Sequence, residues 1–134
     1  MPALYFDSSA LMKLLVTEEH SDAVETLATG GIMWLTSDLA QTELIRAITR
    51  RQPSSVEDAR YVLHNLIIMA LDRDLYDLAG RLQPARLRSL DAIHVAAALS
   101  LGADLTAMVT YDKQLAEAAT LNGLQVLSPG VTLD

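Results

Sequence analysis

Three features of this sequence predict a three-layer α/β/α fold around a central, mostly parallel sheet of four or five strands. Apolar runs of strand length recur at residues 3–7, 32–36, 66–71, 105–109 and 125–127, stretches of helical spacing fall between them, and Ser, Asp, Gly or Pro marks most of the passages. Strands that alternate with helices pair in parallel, because a parallel pair needs a long crossover and a helix supplies it. Such sheets are covered on both faces and bind ligands beyond the carboxyl ends of their strands.

Residues 3–7 form the first predicted strand, apolar enough to be buried on both faces. Ser8 and Ser9 then offer caps for a helix from Ala10 to about Glu18. A second helix is predicted over 20–29, capped by Ser21 and stopped by Gly30-Gly31. The strand at 32–36 leads, through Ser37 or Asp38 as cap, into a helix that carries Leu39, Leu44, Ile45 and Ile48 and ends near Arg51, before Pro53. Ser54-Ser55 opens another helix toward His64, and Leu66–Leu71 reads as a short strand. Asp72 caps a helix through Leu82, and Ser89 caps a strongly apolar one over Leu90–Leu101 that stops at Gly102. Leu105–Val109, a helix over Lys113–Leu121 and a short strand at Gln125–Leu127 complete the pattern. No repeat or linker interrupts it, and 134 residues suit one domain, expected to span 1–134.

Composition narrows the function. With 51% hydrophobic residues but one Phe and one Trp, Leu, Ala, Ile and Val must fill the core. The absence of cysteine excludes disulfides and thiolate–zinc sites. No apolar run approaches the ~20 residues of a membrane span, and no basic leader precedes the first strand, so a soluble, cytoplasmic protein with no membrane partner is expected. A formal charge of −7 argues against binding phosphates through overall charge, although a loaded metal site turns locally positive. Eight arginines against two lysines, with Arg46, Arg50, Arg51, Arg86 and Arg88 grouped, permit RNA contact.

Four carboxylates carry the functional expectation: Asp7, Glu43, Asp91 and Asp112. Asp7 and Asp112 stand at or just beyond strand ends, whereas Glu43 and Asp91 fall in helices, Asp91 in a first turn. Separations of 36, 48 and 21 residues leave only tertiary folding to bring them together. Each has a plainer role available. Asp7 and Asp112 suit helix caps, Asp91 complements a helix dipole, and Glu43 suits pairing with Arg46 or Arg50. Together they repel unless a cation offsets them, and hard Mg²⁺ or Mn²⁺ prefers oxygen ligands. Metal-dependent chemistry on phosphates follows. The apolar neighbours Leu90, Ala92 and Ile93 suggest that Asp91 is buried, and His94, a poor ligand for Mg²⁺, is expected to support the site from the core. Ser9 and Thr110 are candidates to hold the carboxylates, and Lys13 to reach a phosphate.

These residues, in this order, resemble the PIN-domain ribonucleases, specifically the VapC toxins of type II toxin–antitoxin pairs. Tyr5-Phe6-Asp7-Ser8-Ser9-Ala10-Leu11 resembles the opening motif, and Thr42-Glu43-Leu44 the helical glutamate motif. Arg88-Ser89-Leu90-Asp91-Ala92-Ile93-His94 resembles the most recognisable segment, and Val109-Thr110-Tyr111-Asp112 the closing one. The resemblance spans nearly the whole chain and implies a PIN-like fold with Mg²⁺- or Mn²⁺-dependent endoribonuclease activity. It makes Asp7, Glu43, Asp91 and Asp112 the catalytic and metal-binding quartet, with Asp7 and Asp91 as direct ligands and Ser9 and Thr110 as supporting groups. It further implies a homodimer held inactive by a VapB-like antitoxin. Looped or single-stranded RNA is the substrate such a site suits, with Lys13, Arg46, Arg50, Arg86 and Arg88 as candidate contacts. The alternative is a catalytically silent PIN-fold module that binds protein or RNA.

Overall fold

The computed structural model describes residues 2–131. Five strands, β1 (Ala3–Phe6), β2 (Met33–Ser37), β3 (Ile67–Met69), β4 (Leu105–Val109) and β5 (Val126–Leu127), form one sheet in the order β3-β2-β1-β4-β5. Every pairing is parallel, as the strand–helix alternation requires. Helices α1 (Ser8–Met12), α2 (Ser21–Ala28), α3 (Asp38–Arg51) and α4 (Val56–His64) pack on one face. Helices α5 (Arg73–Arg81), α6 (Ser89–Leu99) and α7 (Lys113–Leu121) pack on the other.

The alternation of side chains along each strand divides the core between these faces. Leu4, Phe6, Ala107 and Val109 join Leu11, Leu44, Ile48 and Leu63 on the α1–α4 side. Ala3, Tyr5 and Met108 join the alanine-rich run Val95–Ala98 and Leu115 on the other. Helix α6 is apolar almost all round because its small residues let it lie close against the sheet. Fully burying one Leu or Ile in either cluster contributes about 1.5–3 kcal/mol. No helix among the described residues is long and apolar enough to cross a membrane.

Strand order reverses direction between β1 and β4. The chain steps outward from β1 to β2 and β3, then returns to the other side of β1 for β4. At such a switch point the connections leave the carboxyl ends of two adjacent strands in opposite directions, and a crevice opens between them. The Asp7 backbone N–H donates to Val109 O at 3.2 Å, which fixes the end of β1 beside the end of β4.

The elements differ from expectation mainly at their ends. Helix α1 is only one turn and a half long, not Ala10 to Glu18. Beyond Met12 the backbone tightens, with Leu14 and Leu15 donating to the carbonyls three residues earlier. Asp7, not Ser8 or Ser9, caps α1, whereas Ser37, one of the two caps expected for α3, does cap it. Ser21 turns its hydroxyl to Val16 O and accepts the Glu18 N–H, bracing the α1–α2 loop, while His20 enters α2 in the left-handed region at φ 72°. Ser54 and Ser55 lie in a 3₁₀ turn over Pro53–Ser55, and α6 starts at Ser89 after an uncapped Arg88. The third strand is Ile67–Met69, shorter than 66–71, because only three residues find partners on β2.

Candidate active site

Asp7 follows β1 at the switch point and is 3% exposed. Its backbone is extended, and its Oδ1 accepts the Ala10 N–H at 3.0 Å, which starts α1. The Ser9 hydroxyl lies 2.7 Å from Oδ1 and 2.9 Å from Oδ2, and the Thr110 hydroxyl donates to Oδ2 at 2.6 Å. Burial pushes the Asp7 carboxyl above its ordinary range. Thr110, Ser9, the Ala10 amide and the charge of His94 pull it back only in part.

Asp112 stands two residues past Thr110, and the two strand ends are stitched together. Thr110 Oγ1, while donating to Asp7, accepts the Asp112 N–H at 3.1 Å, and Ser9 Oγ accepts the Tyr111 N–H at 2.9 Å. Asp112 caps α7 with Oδ1, which accepts from the Gln114 and Leu115 amides at 2.9 and 3.1 Å. Its other oxygen faces Arg88. Capping and site chemistry therefore coexist in one carboxylate.

Asp91 lies in the first turn of α6 with its side chain 9% exposed. Its Oδ2 accepts from Arg88 Nε at 2.9 Å and lies 2.8 Å from Nη2 as an ion pair, and the same Nη2 stands 3.4 Å from Asp112 Oδ2. One guanidinium thus joins carboxylates from two elements. The Asp91 bond, then the Asp91 and Asp112 charges, raise the Arg88 pKa further. Leu90, expected to help bury Asp91, is itself 51% exposed. The N-terminus of α6 turns that side chain outward and Asp91 inward.

Glu43 joins through a buried relay. Its Oε1 lies 2.6 Å from His94 Nε2, and His94 Nδ1 lies 2.8 Å from the Tyr5 hydroxyl, which donates to Ser37 Oγ at 2.9 Å. His94 thus stands between the phenol and the Glu43 carboxylate, with one ring nitrogen toward each. Burial opposes the charged imidazole, yet the bond to Glu43 and the charges of Glu43, Asp7 and Asp91 outweigh it and raise the His94 pKa. Pairing of Glu43 with Arg46 or Arg50 is thereby replaced by a contact 51 residues away in sequence.

Tyr5, in the apolar first strand, is a side chain bonded to the candidate site that the strand pattern does not mark. Its signal is chemical, since a phenol inside a buried strand must find a partner for its O–H. The same holds for Tyr111, whose hydroxyl donates to Pro129 O at 2.6 Å and whose pKa burial pushes up to about 12. His20 stacks on this ring with centroids 5.7 Å apart, and Lys13 Nζ lies 4.6 Å from the ring centroid. Lys13 also pairs with Glu18 at 3.2 Å and is not a solvated lysine. Arg46, Arg50 and Arg86 are exposed, and Arg86 lines a cleft of about 230 Å³ with Arg88, Asp91 and Gln114.

The donors are hard oxygens, and two of them already share a cation, which suits Mg²⁺ or Mn²⁺. Among the described residues, no three His, Asp or Glu side chains converge into a ready ligand cluster. Asp7 is drawn to Ser9 and Thr110, Glu43 to His94, and Asp91 and Asp112 together to Arg88.

A parallel sheet of order 3-2-1-4-5 with acidic residues at the β1/β4 switch point defines a doubly wound α/β protein with a carboxylate-lined crevice. The PIN domain family model matches residues 4–121, and the chain belongs to that family, as a VapC-type ribonuclease toxin. Ribonuclease VapC46 of Mycobacterium tuberculosis is 40% identical over 129 residues, 96% of this chain and 99% of the relative. The crystal structure of M. tuberculosis VapC20, a Sarcin-Ricin loop cleaving toxin, superposes with a TM-score of 0.76 at 16% identity, covering 94% of this chain and 99% of that one. A toxin–antitoxin complex from Klebsiella pneumoniae gives a TM-score of 0.72 at 20% identity, covering 94% and 97%.

Proposed function

We propose that this chain, as a single PIN domain, is the endoribonuclease toxin of a toxin–antitoxin pair and hydrolyses RNA phosphodiester bonds at the site of Asp7, Glu43, Asp91 and Asp112. One observation carries the reading: a single hydroxyl, Thr110 Oγ1, donates to Asp7 at 2.6 Å and accepts the Asp112 N–H at 3.1 Å, registering carboxylates from adjacent strands at the switch point. The 40% identity to a ribonuclease over nearly the whole chain supports the same assignment.

Asp7 and Asp91 would hold Mg²⁺ or Mn²⁺ directly, with Glu43 and Asp112 completing the donors or orienting water. Such an ion supplies an activated water and neutralises charge that develops on the phosphate. This chain's own residues do the rest. Ser9 and Thr110 hold the Asp7 carboxylate in place, the His94 ring holds Glu43, and the Asp112 cap fixes the start of α7. Arg86 and Arg88, beside the cleft, bind the RNA backbone, with Arg46 and Arg50 as further contacts. Lys13, tied to Glu18 and Tyr111, takes part only when that pair opens. The partner is a VapB-like antitoxin, the active form is a homodimer, and both act in the cytoplasm, where the RNA is.

Cleavage of a structured RNA pool by the antitoxin-free protein tests this reading, with Mg²⁺ or Mn²⁺ against EDTA and with Asp7→Asn and Asp91→Asn beside wild type. Metal-dependent cuts that vanish in both variants are expected. Cuts that persist in folded Asp7→Asn protein would refute the assignment of the site.

A further inference from the structure

Arg88 is held by the site rather than by the helix it precedes. It occupies the N-cap position of α6 with an extended backbone (φ −64°, ψ 146°), and its side chain makes no cap hydrogen bond. Its guanidinium instead turns across to Asp91 and Asp112, through Nε and Nη2 to the first and Nη2 alone to the second. The oxygen involved is Oδ2 in each case. For Asp112 this is the oxygen left over after Oδ1 has capped α7, and so the one available to any other ligand.

A guanidinium and a divalent cation on the same Oδ2 atoms exclude each other twice, by occupying the same lone pairs and by like-charge repulsion. The arginine can leave without unpacking the core. Its side chain is 61% exposed, although the Asp91 side chain it covers is only 9% exposed. Beside it lies the 230 Å³ cleft lined by Arg86, Pro84 and Gln114, into which the long side chain can turn. Two carboxylates from different elements repel unless a positive charge bridges them, and Arg88 supplies that charge from within the chain.

We propose that Arg88 is a built-in competing counter-ion, which occupies Asp91 Oδ2 and Asp112 Oδ2 against a divalent cation and sets the metal concentration at which the site loads. The inference rests on the carboxylate-site reading above and adds a positioning residue to it. Its signature is opposite in sign to that of a residue which builds the site. Removing a structural support weakens metal binding, whereas removing a competitor tightens it.

The test is a Mn²⁺ titration of the purified protein without RNA, read by the electron paramagnetic resonance signal of free Mn²⁺. Wild type is compared with Arg88→Gln, Arg88→Lys, Asp91→Asn and, as a remote control, Arg81→Gln, which disturbs only the Arg81–Asp77 pair on α5. Arg88→Gln is expected to bind Mn²⁺ roughly fivefold more tightly, the scale of losing a part-exposed ion pair. Arg88→Lys should fall between it and wild type, because a single ammonium cannot reproduce the fork. Arg81→Gln should match wild type, and circular dichroism should show all variants folded. If Arg88→Gln binds Mn²⁺ as wild type does, or more weakly, while Asp91→Asn abolishes binding, the competition is refuted and the carboxylate site stands. If neither wild type nor Arg88→Gln binds Mn²⁺, the site reading fails and the competition falls with it.

Discussion

The two halves of the carboxylate site solve the same electrostatic problem by different means. The inner half, Asp7 and Glu43, is compensated from inside the fold by neutral hydroxyls, one amide and the buried imidazole of His94. The outer half, Asp91 and Asp112, is bridged by an arginine whose side chain is mostly in solvent. Buried polar contacts are costly to break, because a stranded donor or acceptor has no water to turn to. Exposed ones exchange freely. The inner half is therefore a fixed scaffold and the outer half a replaceable one, so the site keeps its shape while its bridging cation changes.

Thr110→Val should break this contrast most strongly. It deletes the donor to Asp7 Oδ2 and the acceptor for the Asp112 N–H at a fully buried position, and a loss of about 2–3 kcal/mol in urea unfolding is expected. A loss below ~0.5 kcal/mol would show that the inner half is not held by these bonds. Tyr5→Phe comes next. It removes the hydroxyl between Ser37 and His94 while keeping the ring, and should cost about 1 kcal/mol by the same measurement.

Glu18 sharpens the comparison, since it is held by cations as Asp91 is, but one of them, Lys13, is 12% exposed against 61% for Arg88. The Glu18 side chain is 18% exposed and contacts Lys13 and Arg51. Burial opposes its charge, but the bonds to Arg51 and Lys13 prevail and lower its pKa from 4.5. A lowered folded-state pKa means stability that is present above the unfolded value and lost as pH falls through the folded one. Acidification from pH 5 should therefore lower the unfolding midpoint of wild type more steeply than that of Glu18→Gln. Equal slopes would mean that the triad contributes nothing. The smallest effect belongs to Arg88→Gln, which takes the cation from the 9% exposed Asp91 but leaves an amide donor in its place, so a loss in urea unfolding smaller than that of Tyr5→Phe is expected. A loss as large as that of Thr110→Val would make Arg88 a structural support and erase the distinction between the halves.

Much of the fold was legible because parallel α/β architecture writes itself in periodicity. The runs that became β1 and β4 needed only their apolarity and the helices after them. The cap residues were less legible. Asp7 and Ser9 are both competent caps, and their order depends on which reaches the Ala10 amide, a matter of backbone direction at the end of β1. Leu90 misled for a related reason, since its exposure depends on where α6 begins its first turn and not on its hydrophobicity.

The sequence alone determined which chemistry is available: hard oxygen donors with no thiols, alternating strands and helices, and acidic residues just past the ends of β1 and β4. Only the tertiary structure decided how those charges are kept. The bonds of Glu43 to His94 and of Thr110 to Asp7 span 51 and 103 residues, and Arg88 reaches Asp112 across 24. Side-chain patterning reports which face of an element is buried. It carries no record of which buried group will stand within hydrogen-bonding distance of another once the elements pack.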